Sequence, residues 1–337
     1  VKLNKTKIGL DMSGTKTATI TATIEPSNAT NKSITWTSSN KAVATVDSNG
    51  KVTAKKNGTA TITVTSKSNN GKTAKCKVTV KTSATKISLS KTSTTLNKGN
   101  SVRLVATALP YNVTEGKITW KNSNTSAVTI EKNEVTSKTI EQGTYYIKSA
   151  VNEKKVIEVS GASKENKAKV QLYDRNETTG QKFELLSIGN NYYIIRAKCS
   201  NKVLNVENAK TEAGTKVQQY SLNGTDAQIW KFENAGNGYY YIKSKCNGLY
   251  LDVKSAKEKN RTQIQVYTKN KTNAQKFKLE KISEEVNKNI KIVTIKAKKN
   301  GTATITAKTS NGKKATCKVT VKNGYWETAN GKYIYHY

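Results

Sequence analysis

The stretch Lys55–Thr63, KKNGTATIT, recurs letter for letter at Lys298–Thr306, 243 residues later. A second word, ITW, stands at Ile34–Trp36 and again at Ile118–Trp120, only 84 residues later. Both words belong to one longer pattern. IEPSNATNKSITWTSSNKAVATV (Ile24–Val46) aligns with LPYNVTEGKITWKNSNTSAVTI (Leu109–Ile130), pairing Pro26 with Pro110 and Trp36 with Trp120. NGTATITVTSKSNNGKTAKCKVTV (Asn57–Val80) aligns with NGTATITAKTSNGKKATCKVTV (Asn300–Val321). Trp36 lies 21 residues before Asn57, but Trp120 lies 180 before Asn300, so the second copy holds 159 additional residues. They enter where the first copy reads VDSNGKV (Val46–Val52). Asp-Ser-Asn-Gly between two alternating runs signals a hairpin turn, and an exposed turn tip accepts an insert with little loss of loop entropy.

The runs flanking that turn alternate with period two, as in ATITVT and KCKVTV, and β-branched residues abound, so strands are expected throughout. Each copy predicts about seven short strands, with one tryptophan as a candidate for the buried centre. The opening VKLNKTKIGL already reads as strand, which suggests a mature segment or a piece of something larger. No apolar run reaches the length of a membrane span, and membrane insertion is not expected.

The 159 additional residues carry a period of their own. Gln181/Phe183, Gln228/Trp230 and Gln275/Phe277 are spaced by 47, as are Tyr146, Tyr193 and Tyr240 at the repeat starts. The same 47 connects Glu158, Asn205 and Asp252, and then Tyr173, Tyr220 and Tyr267. Several residue types holding one spacing identify a threefold internal repeat.

The outer pattern resembles the bacterial immunoglobulin-like group 2 family, through its Pro-x-Asn stretch, ITWTSSN, VATVDSNGKVTAKKNGTATITV and the closing CKVTV. That resemblance implies small β-sandwiches, usually strung in tandem as stalks or adhesive modules of bacterial surface or secreted proteins. The insert resembles the ricin B-type lectin family over residues 142–282, through three units of 47 residues with Gln-x-aromatic near the end of each. It implies a β-trefoil with up to three shallow saccharide sites. The expected architecture is therefore all-β. A first Ig-like domain spans 1–82, and a second is split between 83–133 and 287–322. A trefoil occupies 134–286, and residues 323–337 form a tail or further hairpin. The tail, NGYWETANGKYIYHY, loosely resembles hairpins of cell-wall-binding repeats.

A sugar ring presents vicinal hydroxyls on its edge and an apolar C–H face. Its site needs a carboxylate, a flat aromatic wall and an orienting amide. The lectin resemblance assigns these roles to an early Asp, to the aromatic after the mid-repeat Gln, and to an Asn or Gln near the repeat end. The third repeat fits best, with Asp252, Tyr267 and the amides Asn270, Asn273 and Gln275. One departure is Ala274, where many members place Asn directly before that Gln. The second repeat offers Asn205 in the acidic position, with Tyr220, Asn223 and Gln228. The first offers Glu158, one methylene longer, with Tyr173 and Asn176. Phe183, Trp230 and Phe277 are expected in the shared core.

The chain carries 58 basic and 23 acidic residues, for a net charge of +35. Residues 134–286 hold 26 basic and 17 acidic residues (+9), so the remainder carries +26. Such a surface suits an anionic polymer of the cell wall, or is a solvated face of a lysine-rich protein. Aromatic platforms for bases are missing from the basic repeats, so nucleic acid is not expected as a partner. The one histidine, His336, lies at the end, and no metal spacing, nucleophile triad or phosphate loop is present; an enzyme, a metal or a cofactor is not expected. Paired-carboxylate catalysis stays open, as does service as an accessory segment of a larger enzyme. Cys76 and Cys317 occupy equivalent inward positions. Cys199 and Cys246 are related by the threefold repeat, which sets them too far apart to bond.

These readings converge on a monomeric, extracellular bacterial protein that binds a host or cell-wall glycan without catalysis, its lectin carried on an Ig-like stalk. A structural or adhesive spacer with a vestigial lectin fold, and electrostatic attachment to teichoic acid, stand as alternatives.

Overall fold

The computed structural model describes residues 1–68, 72–114, 117–132, 140–283 and 289–322, and the backbone of a final antiparallel pair, Tyr325–Ala329 with Lys332–His336. The protein is all-β, as the sequence patterning predicts.

In the N-terminal region one sheet runs Lys7–Asp11, Thr73–Lys81, Gly58–Ser66, Ile34–Ser38, with its first pair parallel and the others antiparallel. A second sheet joins Thr17–Thr19, Lys51–Ala54 and Ala44–Val46. Alternation decides which face is covered. Ala60, Ile62, Val64, Cys76, Val78 and Val80 point inward and are buried, while Thr59, Thr61, Lys75 and Lys77 point outward. Both sheets contribute to one core, with Leu10, Ile20 and Val52 meeting Ile62 and Val78. The Asp47–Gly50 turn closes the Ala44–Val46/Lys51–Ala54 hairpin. The Asp47 carboxylate accepts from the amides of Asn49 and Lys51, both at 2.9 Å. Gly50 takes φ +76°, and a Cβ there would stand 2.2 Å from the Ile20 carbonyl oxygen.

The next sandwich repeats this plan. Ser93–Asn97, Lys314–Lys322, Gly301–Thr309 and Ile118–Asn122 form one sheet; Lys86–Leu89, Ser101–Leu109, Ile290–Ala297 and Val128–Lys132 form the other. Cys317 faces Ile305 across the ladder as Cys76 faces Ile62. Val128 pairs with Ala297 and Lys132 with Val293, so the strand equivalent to the first hairpin is completed only after residue 289. The tryptophans depart from the expected buried centre. Trp36 and Trp120 are half-buried and pack on the margin of their cores, because the small Ala, Val and Ile side chains already fill the narrow gap between sheets.

Between these strands lies a closed sheet of three like lobes. Six strands form a ring in which each pairs antiparallel with the next: Gly143–Ser149, Phe183–Ser187, Tyr192–Ala197, Trp230–Gly236, Tyr239–Ser244 and Phe277–Ser283, the last returning to the first. Closure leaves no free edge. Three hairpins complete the lobes: Asn152–Val159 with Val170–Asp174, Val203–Val206 with Thr215–Tyr220, and Tyr250–Val253 with Thr262–Tyr267. They are joined to one another through Gln171–Gln263, Thr215–Val266 and Lys169–Gln218. Phe183, Trp230 and Phe277 are all 0 % exposed at the common core, which is where the repeat spacing predicts them. This is a β-trefoil.

The trefoil meets the second sandwich through Asn289, itself wholly buried. Its side chain accepts from Arg196 at 2.9 Å and donates to the Ala108 carbonyl at 3.2 Å. Arg103 of the sandwich and Lys245 of the trefoil both reach the Asp226 carboxylate.

Candidate saccharide clefts

Each capping hairpin sets the same three residues together. Glu158 stands opposite Gln171, Asn205 opposite Gln218, and Asp252 opposite Gln265. Tyr173, Tyr220 and Tyr267 follow two residues after these glutamines and therefore share their face. Immediately after the first strand the chain turns sharply. Gly161, Asn208 and Ser255 take φ of 60°, 51° and 57°, and Gly161 and Asn208 line the clefts of their repeats.

The carboxylates are held from below. Gln171 Nε2 donates to Glu158 Oε1 and Gln181 Nε2 to Glu158 Oε2, each at 2.9 Å. Gln265 Nε2 donates to Asp252 Oδ1 at 2.8 Å, and Gln275 also hydrogen-bonds the Asp252 carboxylate. Burial pushes the Asp252 carboxyl above the usual carboxylate range, and these two amide donors pull it partly back. Asn205 turns its amide to its own neighbour, donating to the Val206 carbonyl at 2.8 Å. All three groups lie low: Glu158 is 5 % exposed, Asn205 7 % and Asp252 3 %.

Gln181, Gln228 and Gln275 are completely covered. Their Oε1 atoms accept from the amides of Asn176, Asn223 and Asn270, each at 2.9 Å. Their Nε2 atoms donate to the carbonyls of Asp174, Ser221 and Thr268. Gln228 and Gln275, read from sequence as contact amides, are thus engaged behind the surface, because their polar atoms close the loop beneath it. The side-chain oxygens of Asn176, Asn223 and Asn270 in turn accept from the amides of Thr178, Thr225 and Thr272. Asn273 is exposed at the start of the next short turn, and its repeat equivalents Thr179 and Asp226 line neither cleft described below.

Open space lies above two of these floors. The first-repeat cleft has a volume near 680 Å³ and is bounded by Glu158, Gln171, Tyr173, Asn176 and Thr178. The second, near 360 Å³, is bounded by Asn205, Gln218, Tyr220, Asn223 and Thr225. In the third repeat Tyr267 is the most open of the three tyrosines, at 41 %. Sequence reasoning missed Gln171, Gln218 and Gln265, and also the threonines Thr178, Thr225 and Thr272. The glutamines were readable, since each precedes its tyrosine by two residues in all three units.

The family model described as ricin-type beta-trefoil lectin domain-like matches residues 129–220 and 226–320, more than half of the chain. The chain belongs to this lectin family. The model for the bacterial Ig-like domain (group 2) matches residues 11–78 and 83–160, so the two families overlap in the second Ig-like repeat. An uncharacterized protein of Clostridium acetobutylicum is 35 % identical over 138 residues, covering 41 % of this chain and 14 % of that protein. The kappa-carrageenase of Pseudoalteromonas carrageenovora is 51 % identical over 65 residues, covering 19 % of this chain and 16 % of the enzyme. The chain thus spans less than a sixth of the first of these relatives and about a sixth of the second. Among solved structures, the designed threefold-symmetric protein ThreeFoil is 31 % identical, with a TM-score of 0.41, covering 42 % of this chain and 99 % of that one. Both matched families are non-catalytic domain types. Among the described residues no helix is long and apolar enough to cross a membrane.

Proposed function

We propose that this chain is a non-catalytic carbohydrate-binding segment of an extracellular bacterial protein. In this reading the trefoil over residues 134–286 is a guest domain, carried by a second Ig-like sandwich composed of residues 83–133 and 287–322. The observation that carries the saccharide reading is the pairing repeated in the capping hairpins. A low-lying acid or amide stands opposite a glutamine, with a tyrosine two residues further along the same face. The carboxylate oxygens accept hydrogen bonds from sugar hydroxyls, the glutamine fixes their direction, and the ring covers the C–H face.

The first-repeat cleft, with Glu158, Gln171 and Tyr173, is the leading site because an acid lies at the floor of an open cleft near 680 Å³. Asp252, Gln265 and Tyr267 make the second. Asn205 leaves the middle cleft without a carboxylate, so it binds weakest. Asn176 and Asn270 shape the rims, and Gln181 and Gln275 hold the floors. A single shallow site of this kind gives a Kd on the order of millimolar, and useful retention then depends on several sites acting together. Calorimetric titration with a panel of acidic and neutral mono- and disaccharides tests this. Glu158→Ala should remove most of the heat, whereas equal titration of variant and parent would refute the assignment.

A second reading concerns the sandwiches. Their outward sheet faces are lattices of threonine and lysine, with Lys75 and Lys77 on one and Lys308, Lys314 and Lys318 on the other. These faces suit an anionic cell-wall polymer. Teichoic acid binding should then fall steeply with added salt and survive Glu158→Ala; salt-independent binding would count against it.

A further inference from the structure

The three clefts differ at one position contributed by the neighbouring repeat. Arg261 stands at the wall of the first cleft and Lys167 at the wall of the second. The threefold spacing of 47 places Gly214 at the corresponding point of the third. A Cβ added at Gly214 would lie 4.0 Å from Gln265 Oε1, the side chain opposite Asp252. The backbones of the three positions are alike. The amides of Lys167, Gly214 and Arg261 donate to the carbonyls of Gln219, Val266 and Leu172 at 2.8, 2.8 and 2.9 Å. All three have positive φ, 65°, 88° and 68° respectively.

Glycine meets that conformation without strain, whereas a long cationic side chain does not. Arginine and lysine nevertheless occupy two of the three positions. Both side chains are exposed, and among the described residues neither has a carboxylate partner. Lys169 also lines the first cleft and donates to the Arg261 carbonyl at 2.5 Å, which adds a second cation to that wall. A guanidinium fork beside an open polar cleft matches a carboxylate or a sulfate, and it gives a neutral sugar little advantage.

We propose that Arg261, with Lys169, makes the first cleft selective for saccharides bearing an anionic substituent, such as uronates or sulfated sugars. Lys167 gives the second cleft a weaker form of the same preference, and Gly214 leaves the third for neutral sugars. This rests on the saccharide reading above. The anionic group approaches Arg261 at the rim while the ring hydroxyls turn toward Glu158, which separates the two negative charges.

The test compares galacturonic acid with galactose, and glucuronic acid with glucose, at near-physiological ionic strength on the whole chain. Binding is followed by calorimetry and by amide shifts at Gly161 and Thr178 of the first cleft and Ser255 and Thr272 of the third. The acids should bind the first cleft about tenfold more tightly than their neutral counterparts. Arg261→Gly copies the residue at the third cleft and keeps the backbone conformation. It should abolish that preference while changing neutral-sugar affinity less than about twofold, and Arg261→Lys should restore most of it. Equal affinity for acidic and neutral sugars would overturn the charge selectivity alone. So would a preference that survives Arg261→Gly, or shifts spread over the sandwich lysines instead of the cleft. Failure of every sugar to bind would overturn the saccharide reading beneath it.

Discussion

Glu158 and Gln171 face each other across a β-hairpin with 2.9 Å between Oε1 and Nε2, and Asp252 and Gln265 repeat that contact at 2.8 Å in the third lobe. In both, a carboxylate is kept almost out of water by amide donors, and among the described residues neither has a cation as a salt-bridge partner. Such a group is dear to bury and is retained where its charge is used.

Asp252→Asn should therefore make the protein more heat-stable near neutral pH while weakening saccharide binding in the third cleft. The direction follows from linkage. The folded-state pKa of Asp252 is raised above its unfolded value, chiefly by desolvation. The folded form thus binds the proton more tightly, and the penalty of burial is present above the folded pKa and relieved as pH falls through it. Melting curves of parent and variant between about pH 7 and about pH 4 should converge at the acid end. A gap that widens on acidification would contradict the assignment.

Arg196 and Glu184 form a wholly buried pair, 2.5 Å from Nη2 to Oε2, and Arg196 extends to Asn289 on the sandwich side. Glu184→Ala leaves a guanidinium in a dry environment. It should lower stability by about 3–5 kcal/mol, measured by denaturant unfolding, and loosen the trefoil from the sandwich. A loss under about 1 kcal/mol would show that water reaches the site and solvates Arg196.

All four cysteines are free thiols. Cys76 and Cys317 are 0 % exposed, and burial pushes both thiols up. Cys199 and Cys246 are only half-buried; burial raises their thiols too, so access to the reagent sets the order. A thiol reagent on the native protein should modify Cys199 and Cys246 first, and reach the other pair only on unfolding. Equal rates at all four would contradict the packing of the sandwich cores.

The sandwiches are largely legible in the sequence, because a period-two pattern names its inward face and a repeated stretch names its interruption. Ile62 and Cys76, or Ile305 and Cys317, could be placed in the core from alternation alone. Trp36 and Trp120 could not, since their depth depends on how closely two sheets approach, which no local pattern records. The trefoil core at Phe183, Trp230 and Phe277 was readable from one spacing. The clefts were only half readable. The repeat marked Glu158, Asp252 and the tyrosines, but a periodic amide can face outward to a ligand or inward to a loop. Gln275 reads as a contact amide, and its side chain bonds Asn270, Thr268 and Asp252, while Gln265, which the repeat marks only as the residue two before its tyrosine, faces the carboxylate.

If residues 134–286 are a guest, their removal should leave the host intact. Replacing them by Asp-Ser-Asn-Gly, the turn of the first sandwich, should give a chain with two cooperatively folding sandwiches and protected amides on Val293 and Ile295. Exposure of Asn289 and Arg103 should lower the second sandwich's melting point modestly. A second sandwich that no longer folds would contradict the insertion.

Amide-resolved titration of the whole chain with a glycan panel decides whether the hairpin clefts of the trefoil hold saccharide. Saturable shifts should be confined to the rims around Gly161, Thr178, Ser255 and Thr272, with those at the first cleft lost in Glu158→Ala. Shifts absent at every rim, or unchanged by that substitution, would contradict saccharide binding there.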